Sequence, residues 1–197
     1  MKLLLAATMM LMLSAIAMAV PDSQQLGPYT VSFDLDANYQ VQIAQPIENE
    51  KVSAYRMGLI VDNSTLAIID IAEYAELEDA TLKAHKNLLG LSMLREGLNA
   101  TNVEDLMIGG KEGFMVTSEP FEAVAGAPSQ VYRAMYWLDS QDCECGPVSV
   151  GKTSVVITST YPLDVTQGLL SSLQIVKGQV AAMAAPSAQG GQILPPA

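Results

Sequence analysis

Two long apolar runs dominate the hydrophobic pattern, residues 55–61 and 66–72, separated by Asp62-Asn63-Ser64-Thr65. Asp and Asn hydrogen-bond their own backbone and tolerate positive φ, so the pair reads as a β-hairpin. Its strands are apolar nearly throughout, which predicts cover on both faces. Residues 79–98 then read as a helix able to supply one covering layer. Leu82, Leu89 and Met93 share one side of it, and Ala84, Leu91, Leu94 and Leu98 the roughly opposite side. Two stripes are more than an exposed helix needs. One is expected on the sheet and the other against the lead-in, the tail or a partner. Gly90 costs about 1 kcal/mol relative to Ala, so tertiary packing has to hold this helix.

The rest of the chain alternates. In residues 30–36, Val31, Phe33 and Leu35 oppose Ser32, Asp34 and Asp36, and in 39–44 Tyr39, Val41 and Ile43 oppose Gln40 and Gln42. Period two predicts half-buried strands, with Asp36-Ala37-Asn38 as the turn between them. Residues 106–108 and 114–116 flank a glycine-rich tight turn at 109–113. Residues 130–139 form a long strand in which Val131, Arg133, Met135 and Trp137 alternate with Tyr132, Ala134, Tyr136 and Leu138. Residues 153–161, rich in β-branched side chains, form another. Asp164-Val-Thr-Gln167 reads as a capping box for a last helix to about residue 177, burying Val165, Leu169 and Leu173. The order ββββ, helix, βββ, helix predicts an α+β fold, an antiparallel sheet with helices packed on it. The expected boundaries are a signal at 1–19, a polar lead-in at 20–29 and one domain at 30–177. The uncharged Ala/Gly/Pro/Gln segment 178–197 reads as a disordered tail.

This order resembles the PsbP-like family. The likeness rests on the first strands (30–36 and 39–44), the 55–74 hairpin, the long helix before Ile108-Gly-Gly-Lys-Glu-Gly-Phe114, and the 153–161 strand running into a terminal helix. It covers about residues 27–177. The resemblance implies an α/β/α sandwich and a binding or assembly module without catalytic residues. It carries over no metal or partner site.

Charge and ends narrow the class. Met1-Lys2 leads into an apolar run from Leu3 to Val20 ending Ala17-Met18-Ala19, the layout of a signal peptide cut after Ala19. The competing expectation is a retained N-terminal anchor, since the run just reaches spanning length. No other run is long enough to span, so no stable membrane insertion is expected after cleavage. The chain carries 10 Lys+Arg against 21 Asp+Glu, net −11. Loss of Lys2 leaves 9 against 21, or −12. That excess speaks against nucleic acid and anionic membrane surfaces, and it suits an extracytoplasmic, secreted or cell-surface protein.

Candidate chemistry is sparse. Cys143-Glu-Cys145 holds the only two cysteines. In an exported chain they read first as a disulfide, structural or incidental. A strained small ring with redox character, a soft-metal site completed by carboxylates, and free thiols stay open beside it. A metal site lacks a second Cys or His cluster in the sequence. His85 is the sole histidine, and a hydrolase would need carboxylates such as Asp70 and Glu73 beside it. No Gly-x-Ser-x-Gly or phosphate loop occurs. Tyr132 and Tyr136 share a strand face across Ala134, a shallow shelf that reads either as a binding surface or as core cover. Asn63-Ser-Thr65 and Asn99-Ala-Thr101 are glycosylation acceptors, one at a hairpin tip and one at a helix end. The expectation is an exported, non-catalytic binding or assembly module without cofactors, its partner a protein or cell-envelope component. The alternative is a metal-binding or thiol-redox protein using the cysteine loop.

Overall fold

The computed structural model describes residues 21–76, 82–139 and 150–178, with 82–84 as backbone alone. The signal segment, the Cys143 and Cys145 loop and residues 179–197 of the tail lie outside the described residues. An eight-stranded antiparallel sheet forms the centre. It contains β3 (Gln40–Ile43), β4 (Ile47–Glu48), β5 (Val52–Ile60), β6 (Leu66–Tyr74), β7 (Leu98–Ile108), β8 (Lys111–Pro120), β9 (Val131–Trp137) and β10 (Thr153–Ser159). The order across it is β3-β5-β6-β10-β9-β8-β7, with β4 also on β5. A second sheet joins β1 (Asp22–Leu26), β2 (Tyr29–Phe33) and β11 (Gln174–Lys177) in the order β1-β2-β11. The helices are α1 (Leu82–Arg95) and α2 (Leu163–Ser172). The fold is α+β, as the element order predicts.

One face of the large sheet packs under the small sheet and α2. Tyr29, Val31 and Phe33 meet Met57, Leu59, Ile69, Ile71, Val155, Ile157, Leu169 and Leu173 there, all within 1% of full burial. Apolar burial of this kind is worth roughly 1.5–3 kcal/mol per large side chain. The other face carries a smaller core, in which Met93 and Leu89 of α1 cover Phe114, Val116, Met135 and Trp137.

Turn chemistry explains the hairpins. Asp62 Oδ1 accepts from the backbone N–H of Ser64 (2.7 Å) and of Thr65 (2.8 Å), closing the β5–β6 loop. No non-glycine residue there needs positive φ. Between β7 and β8, Gly109 and Gly110 both have positive φ (55° and 79°) and form a two-residue loop between the paired Ile108 and Lys111. That is the twist-matched hairpin turn, open to glycine at both positions. The Gly109 N–H also donates to the Leu170 carbonyl of α2 at 2.9 Å, so hairpin and helix dock closely.

Several expectations change. The polar lead-in contributes β1, because its backbone pairs with β2. The 30–36 and 39–44 strands do not form a hairpin together: β2 joins the small sheet and β3 the edge of the large one. Residues 174–177 pair with β2 as a strand, since Leu173 leaves helical geometry at φ −62°, ψ 123°. Helix α2 starts on Pro162 with no side-chain cap, so Asp164 lies in its first turn and the capping box is not made. Helix α1 ends at Arg95 before Gly97 (φ 81°), which places Asn99 on the exposed outer strand β7 and not at a helix end. Among the described residues the hairpin is covered on one face, by the small sheet and α2. Helix α1 packs on β7 and β8, away from β5 and β6.

Candidate functional site

The position of α1 leaves half a sheet face without cover among the described residues. On that face the pairings align Ala54 with Ala72, Arg56 with Asp70, Gly58 with Ile68 and Ile60 with Leu66. They continue onto β10 as Ala72 with Ser154, Asp70 with Val156 and Ile68 with Thr158. Ile60, Leu66, Ile68, Ala72 and Val156 are only half-buried. In the middle Arg56 grips Asp70 through two hydrogen bonds, 2.6 Å from Nε and 3.1 Å from Nη2. With Arg56 61% exposed, this pair is a solvated one of small energetic worth. The surface is mainly apolar on β5 and β6, is bordered by Gln40 and Gln42 of β3 and by Ser154 and Thr158 of β10, and carries Asp70 paired with Arg56.

A ridge borders it. Helix α1 turns His85, Leu89 and Met93 to the sheet, the ring of His85 lying 5.1 Å from Trp137 edge-on. Leu88, Leu91 and Leu94 are 58%, 52% and 45% exposed. Leu88 looks over β10: with His85, Trp137, Ser154 and Tyr74 it lines a cavity of about 150 Å³ at the boundary between covered and open halves. Arg133 of β9 pins that boundary. It donates to Glu96 at 3.0 and 2.7 Å, to Ser92 Oγ at 3.1 Å and to Thr158 Oγ1 at 3.1 Å. Its guanidinium holds the Glu96 carboxyl below the usual carboxylate range. A cation there also suits the C-terminal end of the helix.

The sequence-predicted candidates fall elsewhere. Tyr132 and Tyr136 are 4% and 2% exposed and lie in the core beneath the small sheet and α2. Of the two readings of this face, binding surface or core cover, the burial fits core cover, because β9 is an inner strand with a layer on each side. Burial pushes the Tyr136 hydroxyl up. Asp70 and Glu73 do not gather beside His85. They point to opposite faces of β6, and Glu73 instead accepts from the Tyr29 hydroxyl at 2.9 Å and from Lys177 Nζ at 2.5 Å. Those bonds, the lysine's above all, hold the Glu73 carboxyl below its ordinary range. The network clips β11 and β2 to β6. Asn63 and Asn99 are both exposed. Among the described residues no three His, Cys, Asp or Glu side chains are grouped as a metal would need. No described helix is long and apolar enough to cross a membrane.

The open half-face was not among the sequence candidates. Its signal was the excess of apolar residues in 55–72 together with the second stripe of the helix. In comparisons with protein-family models, curated proteins and solved structures, nothing matched this chain.

Proposed function

We propose that this chain is an exported, non-catalytic module for protein binding or assembly at or outside the cell surface, similar in design to the PsbP-like family. The observation that carries the reading is the open half-face beside α1. An apolar sheet surface with a central neutral pair, walled by exposed leucines, is the kind of surface that complexes cover. The signal-like first 19 residues and the acidic composition support export. The exposed Asn63 and Asn99 are offered to a glycosylating cell surface on the same reading.

The test is a photo-crosslinking residue placed at position 68, on the open face, and at position 176, where Val176 is exposed on the small sheet. Crosslinks formed in the native surface or medium fraction from 68 but not from 176 support the proposal. Equal or absent crosslinking from both rejects it. A protein without crosslinks that carries stoichiometric metal lost on Cys143→Ser or Cys145→Ser belongs instead to the metal or redox reading.

A further inference from the structure

We propose that the open half-face and the outer stripe of α1 are two halves of one contact, and that the partner covering both is a second copy of this chain. The inference rests on the binding-module reading and names its partner. Two unpartnered apolar surfaces lie side by side on one side of the large sheet. Over β7 and β8 stands a helix whose outer leucines, Leu88, Leu91 and Leu94, face water. Over β3, β5 and β6 stands nothing among the described residues, and Leu88 reaches only the border at β10. A foreign protein that filled the open half to the height of the helix would still leave the stripe exposed. A two-fold axis parallel to the strands above the middle of the sheet covers both at once. It lays each copy's α1 on the other copy's open strands, an isologous contact that closes on itself.

The dimensions fit. Seven strands in sequence across the sheet, at about 4.8 Å spacing, give a width of roughly 29 Å. Two helices of about 10–12 Å diameter lie side by side in that width, one from each copy, as a shared layer between two sheets. The 14 residues of α1 make a strip about 21 Å long. Strand β6, with nine residues, is about 30 Å long and long enough to receive it. Each copy contributes one strip and accepts one, so about 400 Å² of projected face per protomer is covered. Side-chain relief and the contact between the two helices bring this toward the roughly 800 Å² per partner of a stable interface.

Charge agrees with a like partner. The chain is −11 overall, yet the open face carries one acid and one base held together as Arg56–Asp70. The stripe adds no acidic side chain. Two acidic molecules therefore meet on surfaces that do not repel, and the rest of their charge is screened within about 8–10 Å at physiological salt.

The test is the mass of the purified chain by sedimentation velocity at micromolar concentration. Twice the mass of one chain is expected. Ile68→Lys on the open face and Leu91→Glu on the stripe should each give a monomer with an unchanged circular dichroism spectrum. Leu91 is 52% exposed, so its substitution leaves the core intact. Mixed together, the two variants should recover a one-to-one dimer. The carboxylate introduced at position 91 of one copy then faces the ammonium introduced at position 68 of the other, while the second contact stays native. A monomeric parent chain, a dimer that survives Leu91→Glu, or a mixture that stays monomeric overturns the inference. A monomer that still crosslinks to another protein from position 68 refutes this inference alone. A monomer that crosslinks to nothing refutes the binding-module reading with it.

Discussion

Replacing Gly109 by Ala separates two costs that usually come together. The residue holds φ 55°, where an L side chain loses about 1–2 kcal/mol. A Cβ there would also lie 2.0 Å from the Leu173 carbonyl oxygen. Real Cβ atoms do not approach backbone oxygen so closely, so the hairpin or the end of α2 has to retreat. Retreat lengthens the Gly109 N–H to Leu170 bond, worth about 1 kcal/mol. It also loosens the fully buried Leu173, at roughly a further 1 kcal/mol for half of its burial. The total is about 3–4 kcal/mol. The neighbouring Gly110 has φ 79° and open space where a Cβ would go. Gly110→Ala should cost the backbone share only, about 1–2 kcal/mol. Urea unfolding of the three proteins measures both, with midpoints shifting at constant slope. Equal losses for the two alanine variants would refute the docking of hairpin on helix as the reason for glycine at 109.

Three further outcomes follow from named contacts. Arg133→Lys should destabilise by about 2–3 kcal/mol, because one ammonium cannot replace a guanidinium bonded to Glu96, Ser92 and Thr158 at once. Hydrogen exchange at residues 92–96 should quicken, and unchanged exchange there would count against it. Lys177→Met should cost about 0.5–1 kcal/mol at pH 7, since its pair with Glu73 is half exposed. The Glu73 carboxyl is depressed in the folded chain, so its stabilisation is present at neutral pH and is lost as pH falls through the folded value. The gap between parent and variant should therefore close below about pH 4, and a gap constant from pH 7 to pH 3 would contradict the assignment. Arg56→Ala should cost less than about 1 kcal/mol in the isolated monomer, where its pair with Asp70 is solvated. A larger loss there would mean that the open face is covered within one chain.

The α+β class, the 55–72 hairpin and the alternation of β2 and β9 were legible in the sequence, because each depends on neighbours within a few residues. Asp62 closes its loop by reaching two and three residues along, and Gly109-Gly110 meets a local demand for positive φ. The two stripes of α1 were legible for the same reason, but packing decided that the side of Leu89 and Met93 turns inward. Local periodicity says which residues share a face. It does not say what lies on that face. Strands β2 and β3, neighbours in sequence, part into different sheets. Residues 174–177 become a strand only because β2 has a free edge, and Tyr132 and Tyr136 become core only because the small sheet and α2 settle above β9. The open half-face is of the same kind. Residues 55–72 are apolar enough for two covers, but whether α1 stands over β5 and β6 or over β7 and β8 is decided by packing between segments distant in the chain, through the His85–Trp137 contact and the Arg133 clamp. The sequence by itself determined the strands, the turns and the amphipathic sides. The tertiary structure alone decided which of those sides meet each other and which are left without cover among the described residues.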